Sequence, residues 1–244
     1  MACFKELGKY GRLGNALFQI AATIAYSKRY NENYCFPKWE YQDCFNFDQS
    51  NFLNHTPRYD NVYNEDKYTY SNIPYKPNCN LHGYFQSKKY FEDQEGYIKN
   101  ILTPKEKKES GLYGDVCGIH IRRGDYIQFK DFHTVLQVDY YRKAMSCIPV
   151  SKFLIISDDP EWCKIAFAYD ERCTVKKQGS VMDDFTTLSA CGHNIIANSS
   201  FSWWAAYLNP NQNKTVVAPK EWFGPKLKDI NPISDLIPSE WRLV

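Results

Sequence analysis

An α/β fold built on a parallel sheet is what this sequence predicts. Short apolar runs alternate with helix-like runs through its second half, the signature of βαβ units. Three of those strand-like runs end in polar clusters: "HIRRGDY", "SDDP" and "NSSFS". Near the start, a glycine-punctuated loop feeds a helical apolar stripe.

The elements follow in order. In "GKYGRLGNALFQIAATIAYSKRY", Gly8, Gly11 and Gly14 punctuate a loop, and Leu17, Ile20, Ala21, Ile24 and Ala25 then recur at helical spacing. Such a loop can bind an anion at a helix N-terminus or simply turn tightly before a buried helix. Residues 31–80 are rich in Asn, Tyr, Asp and Pro and predict an irregular segment with one or two short strands. The charged run "TPKEKKES" at 103–110 marks a boundary, dividing the chain into 1–110 and 111–244. Beyond it, strands are predicted at 116–121, 152–157, 194–199 and 215–219, with helices at 138–148, 160–169, 183–193 and 201–208.

Composition narrows the function classes. A net charge of +2, with 43% hydrophobic and 24% charged residues, describes an ordinary globular chain and gives no general argument for nucleic acid or an anionic membrane. No nucleic-acid partner is expected. There is no apolar run long enough for a transmembrane segment and no apolar stretch typical of a signal peptide. The nine cysteines include no C-x-x-C pair, and Cys117, Cys147, Cys163 and Cys191 sit in apolar runs. They predict reduced, buried thiols and a cytoplasmic protein. The glycosylation-like triplets at Asn54, Asn198 and Asn213 then carry no meaning.

In an open parallel sheet, ligands bind beyond the carboxyl ends of the strands. The three polar clusters are therefore expected on one rim. Arg122 and Arg123 offer guanidinium forks suited to phosphate, or they form surface ion pairs. The tripeptide Arg123-Gly124-Asp125 also matches an adhesion signal, which would need export and an exposed loop. His120 is a ring contact, an acid–base group or a satisfied core histidine. Ser157, Asp158 and Asp159 precede a helix and suit capping, with metal binding as the weaker alternative. Asn198, Ser199, Ser200 and Phe201 fall where a strand turns into a helix, where free amides and the helix dipole favour an anion. One of Asp183 and Asp184 is expected as the N-cap of the preceding helix. Trp203 and Trp204 are expected to pack in the core.

These blocks, in this order, resemble the α-1,2-fucosyltransferases of glycosyltransferase family 11. The match runs through "GRLGNALFQIA", "HGYFQSKKYF", "GIHIRRGDY", "FLIISDDPEWCK", "DDFTTLSACGHNIIANSSFSWWAAYLN" and "VVAPKEWF". The pair "HIRRGDY" and "NIIANSSFSWW" is the specific part; the glycine-rich opening alone is not. The resemblance implies a GT-B-like fold of two Rossmann-type lobes, the N-terminal one reduced and on the acceptor side, the C-terminal one binding the nucleotide sugar. It implies GDP-β-L-fucose as donor and co-substrate, a glycan hydroxyl as acceptor, inversion at the anomeric carbon, and neither cofactor nor metal.

Carried over by residue, Arg122 holds the diphosphate and stabilises the leaving charge, and Arg123 assists. His120 lies against the nucleotide and Asp184 recognises guanine. Asn198, Ser199, Ser200 and Phe201 supply phosphate contacts, while Asn15 and Asp158 fall on the side of the fucose or the acceptor. Asp125 and Asp158 are the candidates for a general base by position, and Asp125 alternatively orients an arginine. The chain departs from the usual opening at Arg12 and Ala16, which touches the acceptor side. Animal members carry a membrane stem, so a microbial or viral glycan pathway is implied. The alternatives are a transferase for another GDP-sugar or linkage, and a non-catalytic glycan-binding protein.

Overall fold

The computed structural model describes residues 1–106, 108 and 114–244. It comprises two compact units: Met1–Lys105 with Asn231–Pro238, and Glu106–Ile230 with Ser239–Val244. The boundary expected at residue 110 lies outside the described residues. Among the described residues, no helix is long and apolar enough to cross a membrane.

The first unit is a sheet of β1 (Ala2–Cys3), β2 (Tyr34–Pro37), β3 (Phe52–Leu53), β4 (Asn61–Asn64) and β5 (Cys79–His82), with helices α1 (Leu13–Arg29) and α2 (Glu95–Leu102). Its order is β3-β2-β1-β5-β4, and every pairing is parallel. The predicted stripe lies on α1, with Leu17, Ile20, Ala21, Ile24 and Ala25 all fully buried. Thr23 and Ser27 are buried on the same helix, and their hydroxyls donate to the carbonyls of Gln19 and Thr23 at 2.7 and 2.9 Å. Bonding back one turn lets a helix bury hydroxyls without leaving them unpaired.

Residues 31–80 hold four short strands, β2 to β5, where one or two were expected. They run two to four residues each, and parallel pairing makes them a sheet: β2 and β5 flank β1, β3 adds to β2, and β4 adds to β5. Asn61–Asn64 even alternates half-buried and exposed residues without an apolar face.

The second unit carries β6 (Val116–Ile121), α3 (Gly124–Gln128), α4 (Val138–Met145), β7 (Lys152–Ser157), α5 (Pro160–Ala166), β8 (Cys173–Val175), α6 (Val181–Ala190), β9 (His193–Ile195), α7 (Ser200–Leu208), β10 (Val216–Ala218) and β11 (Arg242–Leu243). The sheet order is β11-β10-β9-β6-β7-β8, again all parallel. The α/β class with two Rossmann-like sheets is as expected. The strand foreseen at 194–199 pairs only over His193–Ile195.

Alternation along β6 builds the two faces of this sheet. Cys117, Ile119 and Ile121 point into a core with Tyr141, Met145, Phe153, Ile155 and Phe167. On the other face, Gly118 meets α6 so closely that a Cβ there would sit 2.9 Å from the Cys191 Sγ. His120 shares that face, with its ring centroid 5.2 Å from that of Phe201. Trp203 and Trp204 are fully buried, as expected of packing residues. Cys117, Cys163 and Cys191 are buried free thiols, whereas Cys147 is half-exposed and donates to the Lys143 carbonyl. It lies two residues past the end of α4 and packs against the edge of the core, only partly covered.

Candidate active site

The parallel order β9-β6-β7 brings the ends of three strands side by side, and with them the three polar clusters. Ile121 pairs with Ser157, so the arginine corner after β6 is level with the aspartates after β7. The rim argued from strand pattern therefore exists in the second unit.

Its centre is a charged corner. Arg122 places one guanidinium nitrogen 2.5 Å from Asp125 Oδ1 and another 2.8 Å from Asp158 Oδ2. Asp158 Oδ1 accepts the backbone N–H of Arg123 at 2.9 Å. Gly124 permits this approach, because a Cβ there would meet Asp158 Oδ2 at 2.7 Å. Arg123 donates to Asp159 Oδ2 at 3.2 Å, and its guanidinium lies 3.9 Å from the Trp162 ring centroid. Both arginine side chains are mostly buried, 17% and 13% exposed, so two cationic forks are held in place by carboxylates and an aromatic face. Asp159 also caps α5, accepting from the Trp162 amide with Pro160 in the first turn. That is the capping role foreseen for this cluster.

His120 is 7% exposed, and among the described residues its Nδ1 has no hydrogen-bond partner. Burial, and secondarily the Arg122 charge, hold its pKa down at about 3, so the imidazole is neutral at ordinary pH. Beyond β9, Asn198 is buried and donates to the carbonyls of Thr134 and Trp222 at 2.9 and 2.7 Å. It fixes the chain where Ser199 opens α7 in an extended conformation, leaving Ser200 and Phe201 in the first turn. The Asn198 carbonyl accepts from the Tyr126 hydroxyl at 3.0 Å, tying α3 to this turn. The Tyr126 ring in turn stacks on His133, 4.3 Å between centroids.

Asp184 sits in the first turn of α6 and accepts from Lys176 Nζ at 2.8 Å. Neither it nor Asp183 is the N-cap. The helix begins earlier, at Val181, and the Ser180 hydroxyl accepts from the Asp183 amide. Asp183 pairs with Lys176 and Lys108 at 2.5 and 2.6 Å, and these bonds hold its carboxyl below the usual range. Burial would lower the Lys176 ammonium, but its bonds to Asp183 and Asp184 outweigh that and leave its pKa raised.

Asn15 lies in the first unit, on a separate polar cluster. Gln86 donates to Asn15 Oδ1 at 2.8 Å, and the Tyr68 hydroxyl donates to Gln86 Oε1. Gly11 has φ +87°, and a Cβ on it would overlap Asn15 Nδ2 at 2.0 Å. Nearby, Phe85 holds a left-handed φ of +52°. Glu65 stabilises that turn by accepting from the amides of Tyr84 and Phe85 at 2.6 and 3.0 Å. Burial pushes the Glu65 carboxyl pKa up despite these bonds.

Several rim residues were not singled out in the sequence. Tyr126 and Trp162 stood inside quoted blocks, where an aromatic one and three residues past a charged corner was the available signal. Lys176 and His133 lie in stretches without periodicity and offered none.

Relatives bear on what this rim does. The model of the family described as glycosyl transferase family 11 matches residues 44–241. An O-antigen biosynthesis glycosyltransferase, WbnK of Escherichia coli, is 41% identical over 120 residues, 45% of this chain and 39% of that protein. An alpha-1,2-colitosyltransferase of the same organism is 28% identical over 177 residues, covering 65% and 60%. A galactoside 2-alpha-L-fucosyltransferase of Caenorhabditis elegans is 27% identical over 184 residues, covering 65% and 50%. The chain thus spans about two-fifths to three-fifths of the length of these relatives. Among solved structures, the NodZ alpha-1,6-fucosyltransferase soaked with GDP-fucose superposes with a TM-score of 0.55 at 12% identity, over 86% of this chain and 92% of that one. That likeness is one of fold. Matched by the family model through both its aspartate-rich and arginine blocks, the chain belongs to glycosyl transferase family 11.

Proposed function

We propose that the protein transfers L-fucose from GDP-β-L-fucose to a sugar hydroxyl of a glycan, with inversion, without a metal, and forming an α-1,2 linkage. The observation that carries this reading is the Arg122–Arg123 corner, two pre-oriented guanidiniums level with the amides that open α7. Family membership and the fucosyltransferases among its relatives support the sugar.

In this reaction the bond from C1 of fucose to the β-phosphate oxygen breaks, and its electron pair leaves with GDP. The acceptor oxygen forms the new bond to C1, and its proton is lost late, to water. Charge grows on the diphosphate while the sugar passes through an oxocarbenium-like state, so fixed donors at the phosphates are the largest lever. Arg122 turns its fork to the diphosphate, with Arg123 and the turn of Asn198, Ser199, Ser200 and Phe201 beside it. Asp125 and Asp158 orient Arg122 and are positioning residues in this scheme. His120 lies against the nucleotide, Asp184 takes the guanine edge, and Asn15 belongs to the acceptor side.

Calorimetry with GDP against UDP, followed by turnover of GDP-fucose on an acceptor panel with linkage analysis, tests this reading. Absence of GDP binding would overturn it. The colitosyltransferase relative favours a second reading, transfer of a sugar other than fucose to the same class of acceptor. Faster turnover of another GDP-sugar than of GDP-fucose would select it.

A further inference from the structure

Asp184 and Lys176 form a pair whose chemistry reaches past a single carboxylate contact, given the reading of a guanosine diphosphate donor. Lys176 leaves the end of β8 and is anchored there, its amide donating to the Ile155 carbonyl of β7 at 2.8 Å. Its side chain is 17% exposed, with Nζ 2.8 Å from Asp184 Oδ1 and 2.5 Å from Asp183 Oδ2. An ammonium has three protons. The third is poorly used, on the Lys177 carbonyl at 3.4 Å. Asp183 does not depend on this lysine alone, because Lys108 also reaches it at 2.6 Å. The pair lies where the chain leaves the carboxyl end of β8, on the rim of the second sheet. Phe185 follows Asp184 on α6, its ring is 5.4 Å from Phe201, and Phe201 is 5.2 Å from the buried His120, whose Nδ1 lacks a partner among the described residues.

A guanine edge presents an acceptor, O6, beside two donors, N1–H and the 2-amino group. A single aspartate satisfies the donors and leaves O6 unpaired. We propose that Lys176 is a specificity-determining residue that donates to guanine O6 while Asp184 accepts from N1–H and the 2-amino group. The third ammonium proton passes from the Lys177 carbonyl to O6, and the bond to Asp184 keeps cation and carboxylate side by side in the order the base requires. Adenine reverses both signs: its 6-amino group would face the ammonium and its N1 lone pair the carboxylate. The site thereby rejects it through unpaired polar groups, which discriminates more strongly than shape.

The test compares GDP, IDP and ADP on the full chain by calorimetry, with ADP read by displacement. IDP keeps O6 and N1–H but lacks the 2-amino group. Lys176→Met should weaken GDP by roughly ten- to a hundredfold, the loss of one charged hydrogen bond. It should weaken IDP by the same factor and leave ADP unweakened, so the GDP-to-ADP ratio falls accordingly. Asp184→Asn should instead cost GDP more than IDP. Lys176→Arg, which keeps a donor and both ion pairs, should stay within about fivefold of wild type. If Lys176→Met does not fold, Lys176→Gln reads the same ratio. Equal weakening of all three nucleotides, or unchanged GDP affinity, would overturn the assignment. Failure of the wild-type chain to bind GDP would instead overturn the donor reading itself.

Discussion

Replacing Arg122 with alanine is the perturbation that most directly tests the rim. The side chain now spans Asp125 and Asp158 with two different nitrogens, at 2.5 and 2.8 Å. The corner holds two guanidiniums against three carboxylates, Asp125, Asp158 and Asp159, a formal −1 that becomes −2 in the variant. A diphosphate then loses a charged fork and meets a more negative surface. A charged hydrogen bond contributes about 1.5–3 kcal/mol, so loss of the fork should cost about 3 kcal/mol in GDP binding, roughly 150-fold. Transfer should fall further, because charge on the leaving group is greatest in the transition state. The fold should survive at a cost of about 1–3 kcal/mol, because the partly buried Asp125 and Asp158 lose their shared cation, a melting shift of about 2–12 °C. Arg122→Lys restores the charge but reaches with one nitrogen and should recover only part of the affinity. Titration with GDP, turnover of GDP-fucose and a thermal melt on each variant settle the matter. A folded Arg122→Ala protein that binds GDP within threefold of wild type would refute the reasoning.

Other perturbations follow from the same geometry. His120 has its pKa depressed from 6.5 to about 3, so its contribution to stability is complete above pH 6.5 and is lost as pH falls toward 3. The full drop corresponds to roughly 4–5 kcal/mol at most; urea midpoints between pH 7 and 4 should fall more steeply for wild type than for His120→Phe, and parallel curves would count against it. Gly11→Ala forces a left-handed alanine against Asn15, and should destabilise by about 1–3 kcal/mol while raising the acceptor KM more than the GDP Kd. Trp203→Ala empties a fully buried site and should cost about 3–5 kcal/mol, visible as a large loss of melting temperature.

The second unit was legible because its strands are long enough to show pattern. Val116–Ile121 and Lys152–Ser157 are six-residue runs, rich in β-branched side chains, each followed by charge. Arg122, Asp158 and Asn198 could be put on one rim from that alone, since parallel strands share a carboxyl edge. The first unit was not legible between 31 and 80, where Phe52–Leu53 and Asn61–Asn64 carry too few apolar positions to establish a period. Their strand character comes from parallel neighbours distant in sequence, such as Asn61 opposite Cys79. The α6 cap was missed for a local reason: Ser180 and two aspartates compete within one turn, and only backbone geometry selects the serine. Lys176 was invisible because its significance is entirely that of its partners.

The return of Asn231–Pro238 to the first unit has a mechanical meaning. Asp235 receives the Lys89 ammonium and the Tyr70 amide at 2.5 and 2.9 Å, and Leu236 is buried beside it. Four residues after Pro238 the chain is back in the second sheet as β11. A force applied at the C-terminus therefore loads the edge of one unit and then a buried clasp of the other, in series. No single cut frees either unit whole: a protein ending at Ile230 would lose the clasp and β11 together, and a fragment ending at Lys105 would expose what Leu236 and Ile237 cover.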